Sequence, residues 1–284
     1  MYEQHRHSQT PRDELALWRY MDVGRFLALL FSKALHFSRK HHLDDRWEGV
    51  VPSFGVQQAV HEPDRSEENM RFFEEGVHET GEAVAERAVI SCWHANSRES
   101  VAMWRLYTSG AEGAAIQTTV GRLKEAFEQE PCSVTIAHVR YIDHLSEDLE
   151  RAWALDPLSP LFCKRRAFEH EREVRCVIAR PELEREEALV FSEASPALRQ
   201  RFPAALEQWE AVPDGDLGDR GLFVPVNLRA LIERIVVSPR YPSWALPALQ
   251  AVTDGAGLGV RVELSSLLEQ PPCPRHVDLG PGTE

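Results

Sequence analysis

The stretch from Lys164 to Ile178, KRRAFEHEREVRCVI, constrains this chain more than any other. At strand period, Val174, Cys176 and Ile178 form one row, and Glu171, Glu173 and Arg175 form the other, with Val177 continuing it. An apolar row of that size is buried against a core. The opposite row sets two carboxylates beside a guanidinium. Same-face neighbours on a strand lie ~7 Å apart, so two ionised carboxylates repel by about 2 kcal/mol at an effective dielectric near 20. Arg175, Arg172, Lys164 or a bound ligand must offset that repulsion. A solvated charged ladder and a functional carboxylate pair both fit the pattern.

A chain of 284 residues has ample length for a hydrophobic core. Its net charge of −13 argues against a broad electrostatic grip on nucleic acid, though not against a local basic groove. The cysteines Cys92, Cys132, Cys163, Cys176 and Cys273 contain no CxxC pair and are odd in number, as expected of reduced thiols in a cytoplasm. The polar opening HRHSQTPRDE has no signal-peptide pattern, and FLALLF (26–31) is too short to span a bilayer. The expectation is a cytoplasmic protein without a membrane partner.

The chain divides into a loose arm (1–14), one α+β domain (15–270) and a proline-rich tail (271–284). ALWRY is expected as a strand, and GRFLALLFSKA as a helix capped by Met21 or Asp22. LHFS (35–38) reads as a strand, RKHHLDDRWEG (39–49) as a polar turn, and the stretch with Pro52 and Pro63 as a loop. A solvated helix is expected over 67–87, with Met70, Phe72, Phe73 and Val77 partly buried. AVISCW (88–93) is the clearest apolar strand of the first half; Asn96 and Glu99 form a capping box for a helix over 97–108. GAAIQT is a strand, GRLKEAFEQ a short helix, SVTIAHVRYI (133–142) a strand, and 143–165 helical with proline breaks. Residues 180–220 read as a partly helical insertion. IERIVVSP, SWALPALQAVT and VRVELSSL form a βαβ unit over 232–267.

Several of these pieces, in this order, resemble the bacterial family catalogued as domain of unknown function 2971. They are LWRY, LHFSRKHHLDDRWEG, SCWHANSRESVAMWRLY, the FEHEREVR stretch and IERIVVSPR…VELSSL. More distantly, the order of elements resembles the ADP-ribosyltransferase fold. That resemblance implies a mixed or antiparallel split sheet with peripheral helices, and NAD as substrate. By this resemblance, Arg19 in LWRY corresponds to a first-strand residue that holds NAD. Ser91 and Trp93 correspond to a strand running into a helix, and Glu171-Arg172-Glu173 to a later Glu-x-Glu. Glu173 would then stabilise the oxocarbenium-like state at the ribose, with Glu171 orienting the acceptor nucleophile. Trp93, Trp104 or Tyr107 would stack on nicotinamide or adenine, and Arg175 would steady the carboxylates or help hold NAD. The acceptor implied is a macromolecule, protein or nucleic acid. A toxin or anti-phage effector, with an antitoxin or another defence-system partner, is implied by analogy.

Plainer readings stand beside these. Arg19 fits a surface position on an edge strand, and Trp93, Trp104 and Tyr107 have helix-compatible core spacing. Cys92 and Cys176 fit inert buried thiols, and a Cys92–His94 nucleophile pair has no third group to orient it. His5/His7 and His41/His42 lack the framework of a metal site, and GAGLG (255–259) comes after a helix instead of opening one. Two functional alternatives remain: a non-catalytic ligand-sensing or interaction module of a defence system, and a nuclease in which Asp44, Asp45, Glu48, Glu171 and Glu173 hold a divalent ion.

Overall fold

The computed structural model describes residues 2–61, 63, 66–127, 133–179 and 221–269. Twelve strands are formed among them: β1 (Tyr2–Gln4), β2 (Ala16–Asp22), β3 (Ala34–Phe37), β4 (Val89–Ala95), β5 (Gly113–Thr119), β6 (Val134–His138), β7 (Arg140–Ile142), β8 (Cys163–Arg165), β9 (Glu173–Ile178), β10 (Leu222–Pro225), β11 (Arg234–Val237) and β12 (Val262–Leu264). Eight of the described strands make one mixed sheet in the order β1-β6-β9-β4-β2-β5-β11-β12; β3–β10 and β7–β8 are separate pairs. The central pairs are antiparallel, whereas β1–β6 and β11–β12 are parallel. The chain is α+β.

The join between β2 and β4 positions the site. β2 pairs with β5 from Ala16 to Asp22, but with β4 only at Leu17↔Ala95 and Trp18↔His94. Beyond that point β4 turns to the end of β3: Ser38 and Ile90 exchange both backbone hydrogen bonds at 2.8 Å. The sheet therefore opens between β2 and β4, and the freed backbone groups find partners in the β3 segment.

Helices cover both faces. On one face α1 (Val23–Ser32), α5 (Val120–Ala126), α7 (Leu228–Leu231) and α8 (Leu246–Gly255) bury Phe26, Leu30, Leu123, Leu231 and Leu249 against Leu17, Trp93, Val174 and Cys176. α1 is amphipathic and ends where Lys33 turns left-handed (φ 51°). On the opposite face α2 (Ser53–Val60), α3 (Glu67–Arg87) and α6 (Arg151–Ala154) pack on Ile90, Ala137 and Val177. Further along the same face, α4 (Val101–Tyr107) packs Met103 and Trp104 on Trp18 and Tyr20. A Cβ on Gly221 would lie 2.0 Å from the Phe37 carbonyl oxygen, so only glycine lets β10 enter beside β3 there.

Several local expectations are corrected. Residues 2–4 are not a loose arm, because Tyr2, Glu3 and Gln4 pair with Val134, Thr135 and Ile136 on β6. The stretch expected as a loop after Pro52 is helix α2, and Phe72 on α3 is 55% exposed. The cap of α4 is Ser100, whose Oγ accepts the Met103 N–H at 3.4 Å; Glu99 instead accepts from Trp104 Nε1 at 3.1 Å. SVTIAHVRYI breaks at Val139 into β6 and β7. Residues 143–165 hold only the short α6 and a 3₁₀ turn, and end in strand β8. The βαβ reading near the C-terminus matches β11, α8 and β12. The 180–220 insertion and the 271–284 tail lie outside the described residues.

Candidate functional site

The KRRAFEHEREVRCVI motif is not one continuous strand. β8 carries Lys164 and pairs with β7 off the main sheet, then a 3₁₀ turn runs from Arg166 to Glu171. Arg172 reverses the chain in the left-handed region (φ 45°), and β9 begins at Glu173. That hairpin-like return brings Lys164 back onto both carboxylates. Its Nζ lies 2.6 Å from Glu171 Oε2 and 3.2 Å from Glu173 Oε2. A left-handed arginine is held at a steric cost of roughly 1–2 kcal/mol. Here the Arg172 backbone is tied on both sides: its N–H donates to the Glu169 carbonyl (3.2 Å), and its carbonyl accepts from Ala95 (2.9 Å).

A third carboxylate completes the cluster. Glu48, in the 39–49 turn, places Oε1 3.2 Å from Lys164 Nζ and Oε2 2.6 Å from Arg175 Nη2. Arg175 Nε donates to Glu173 Oε1 at 2.7 Å, and Nη1 donates to the Leu161 carbonyl at 2.7 Å. Glu48 and Glu173 are each 4% exposed, Lys164 7%, Glu171 8% and Arg175 0%. Burying ions in this number is tolerable only because each cation meets at least two carboxylates. The same contacts set the ionisation states. Burial alone would raise the Glu173 pKa; Arg175 and Lys164 outweigh it and hold the carboxyl down at about 2. Burial alone would lower Lys164 and Arg175, and their carboxylate neighbours raise both instead. Beside the cluster, Asp45 holds Arg165 through two contacts, at 2.7 and 3.0 Å.

Around this cluster lie uncharged polar groups. The Glu173 N–H donates to Tyr141 Oη at 2.8 Å. Burial, and to a lesser degree Glu173, raises the Cys92 thiol well above its ordinary value, leaving it protonated and unreactive. Burial and then Glu171 raise the Tyr107 phenol, which remains 38% exposed at the rim. His94 places Nδ1 2.6 Å from the Glu171 carbonyl oxygen. That contact puts the proton on Nδ1 and leaves Nε2 an acceptor, buried and unpartnered among the described residues, in a residue 7% exposed overall.

The expected cleft is not assembled as the sequence implied. Register partners in antiparallel strands share a face. Glu173 partners His94 and Arg175 partners Cys92, while Ser91 and Trp93 partner Cys176 and Val174 on the other face. Trp18 shares the face of His94, so Arg19 points with Leu17 to the side of Ser91 and Trp93. There its guanidinium donates to Ser91 Oγ (2.5 Å) and the His36 carbonyl (2.8 Å), and lies 5.6 Å from the Trp93 ring centroid. Arg19, Ser91 and Trp93 are thus together, and separated from Glu173 by the thickness of the sheet. Trp93 and Trp104 are core residues, 1% and 5% exposed. Of the expected residues, Glu171, Glu173, Arg175 and Tyr107 share one site. Glu48, Lys164 and His94 join it, although no sequence pattern marks them as a set. Among the described residues no group of histidine, cysteine, aspartate and glutamate has metal-holding geometry, and no described helix is long and apolar enough to cross a membrane.

No protein-family model matches the chain, and no curated protein matches it.

Proposed function

We propose that the chain is an NAD-consuming enzyme of the ADP-ribosyltransferase type, acting on a macromolecular acceptor at the Glu171–Glu173 end of β9. One observation carries the reading: β9, entered through Glu171-Arg172-Glu173, lies beside β4, which runs into α4, and beyond it β2, at the place where β2–β4 pairing stops. That order supports the correspondence drawn from the sequence, with its residues revised. Arg19, Ser91 and Trp93 leave the site because they face the other side. Glu173, whose two oxygens are taken by Arg175 and Lys164, acts as a positioning residue that fixes Lys164. Glu171 is the most exposed of the three carboxylates and meets developing positive charge on the ribose. Tyr107 at the rim offers an aromatic face to the substrate.

The second reading is a non-catalytic ligand-sensing module, favoured by the closure of the ionic cluster on itself. The nuclease alternative loses two ligands, because Asp45 and Glu48 are already committed to Arg165 and to Lys164 and Arg175. The test is release of free nicotinamide when the purified chain meets NAD, with and without cell extract as a source of acceptors. Release is expected, and Glu171→Gln should lower it by about 100-fold while leaving the circular dichroism spectrum unchanged. No release under either condition sinks the transferase reading in favour of the sensor.

A further inference from the structure

The N-terminal edge of the sheet is tied down by two histidines that the site does not use. β1 adds only Tyr2, Glu3 and Gln4 to the edge of β6. A three-residue edge strand is a weak attachment by itself. The next residue is anchored more firmly: His5 is 2% exposed, its ring set against Trp153 (centroids 5.1 Å) and Phe162 (4.9 Å). Its Nδ1 accepts the backbone N–H of His7 at 3.2 Å. A ring nitrogen that accepts carries no proton, so the neutral ring holds its hydrogen on Nε2. Nε2 faces Asp156 Oδ2 at 3.8 Å, beyond hydrogen-bonding reach, and has no other partner among the described residues. His7, on the rim of the same corner, places its own Nε2 3.8 Å from the same carboxylate oxygen.

We propose that this corner is a proton-operated latch, in which protonation of His5 releases β1 from the edge of β6 while the rest of the sheet stays folded. The second proton must go to Nδ1, where it meets the His7 N–H donor head-on and abolishes that hydrogen bond. The resulting imidazolium sits between two uncharged rings. The ionisable groups facing it are Asp156, which favours the charge, and His7, which opposes it once protonated. Arg140 lies over the far partner ring, Trp153, at 5.7 Å, and is committed to Glu150.

Burial pushes the His5 pKa below its ordinary value of 6.5, with Asp156 only partly opposing. The latched form therefore binds its proton less readily than the released one. Its stability is fully present above about 6.5 and is lost as pH falls below that value. The direct experiment is hydrogen–deuterium exchange of the full chain, corrected for intrinsic pH dependence and read on peptides covering residues 2–9 and 173–178. From pH 7.5 to 5.5 the N-terminal peptide should lose protection by up to about tenfold, because pH 5.5 lies one unit below the ordinary imidazole value of 6.5, while 173–178 is unchanged. His5→Phe keeps the ring packing and cannot titrate, so its protection should be the same at both pH values. Should that variant fold poorly, Asp156→Asn removes the countercharge and should move the opening to higher pH. Unchanged protection of residues 2–9 at pH 5.5 would overturn the latch. So would acid opening of His5→Phe like that of the parent, Asp156→Asn opening at the parent's pH, or equal loss across the whole sheet.

Discussion

The two faces of β2, β4 and β9 hold arginines in opposite ways. On one face Arg175 is 0% exposed and meets two carboxylates, Glu48 and Glu173, with Lys164 sharing both. On the other, Arg19 donates to a serine hydroxyl and a backbone carbonyl, with a tryptophan ring alongside; among the described residues no carboxylate pairs with it. Burial lowers the Arg19 pKa, whereas at Arg175 the carboxylates more than reverse the same effect. The comparison separates two uses of an arginine, one fully buried and the other half-buried. Arg175 is one part of a mutually dependent set, in which each ion makes the others tolerable. Arg19 is a staple: it spans from β2 to β4 and β3 where backbone pairing between β2 and β4 has stopped, replacing missing ladder bonds with guanidinium bonds.

The largest effect should come from removing Arg175. Arg175→Met leaves Glu48 and Glu173 in the interior with Lys164 as their only cation among the described residues, and breaking a buried pair from one side costs about 3–5 kcal/mol. Urea unfolding should show the loss as a lowered midpoint. A loss under about 1 kcal/mol, the scale of a surface ion pair, would mean that water or rearranged side chains already serve the two carboxylates, and the cluster would not be a mutually dependent set.

A smaller, pH-confined effect tests the same set from its acidic side. Glu173 titrates at about 2 in the folded chain against an ordinary 4.5. A folded pKa below the unfolded one contributes stability that is present above 4.5 and lost as pH falls from 4.5 toward 2. The unfolding midpoint of the parent should therefore decline across that interval more steeply than that of Glu173→Gln. Parallel acid limbs would remove Glu173 from the account of acid sensitivity.

Part of this contrast is legible in the sequence. The period-2 rows of EVRCVI place Glu173, Arg175 and Val177 opposite Val174, Cys176 and Ile178, as found. Lys164 and Arg175 also stand among the groups able to offset the carboxylate repulsion. The same alternation misplaces Glu171, since it ends a 3₁₀ turn and reaches the row only through the left-handed Arg172. Glu48 is expected beside Glu171 and Glu173 only as a metal ligand, and its ion pairs are missed for another reason: RKHHLDDRWEG has the composition of a solvated turn, and its burial is imposed by Lys164 and Arg175, far away in the sequence. The face of Arg19 cannot be read at all. Alternation within LWRY fixes Arg19 relative to Trp18, but relating it to Glu173 requires the pairings Trp18↔His94 and His94↔Glu173. A slip of one residue in either would exchange the faces. Register between distant strands is a tertiary quantity, and no local pattern encodes it.

The smallest expected effect is at Arg19, and it is the one that would break the comparison. Arg19→Met removes two hydrogen bonds from a charged donor, each worth about 1.5–3 kcal/mol, and leaves Ser91 Oγ and the His36 carbonyl to find other partners. Against that, the chain no longer withdraws part of a guanidinium from water at a place where, among the described residues, no carboxylate pairs with it. Methionine also keeps the apolar stem beside Trp93. The opposing effects leave a net loss of about 1 kcal/mol, well under that of Arg175→Met. Equal losses for the two variants would show that the absence of a carboxylate at Arg19 does not distinguish it from Arg175. A loss confined to Arg175 establishes that a fully buried arginine paired with carboxylates and a half-buried staple contribute differently to this sheet.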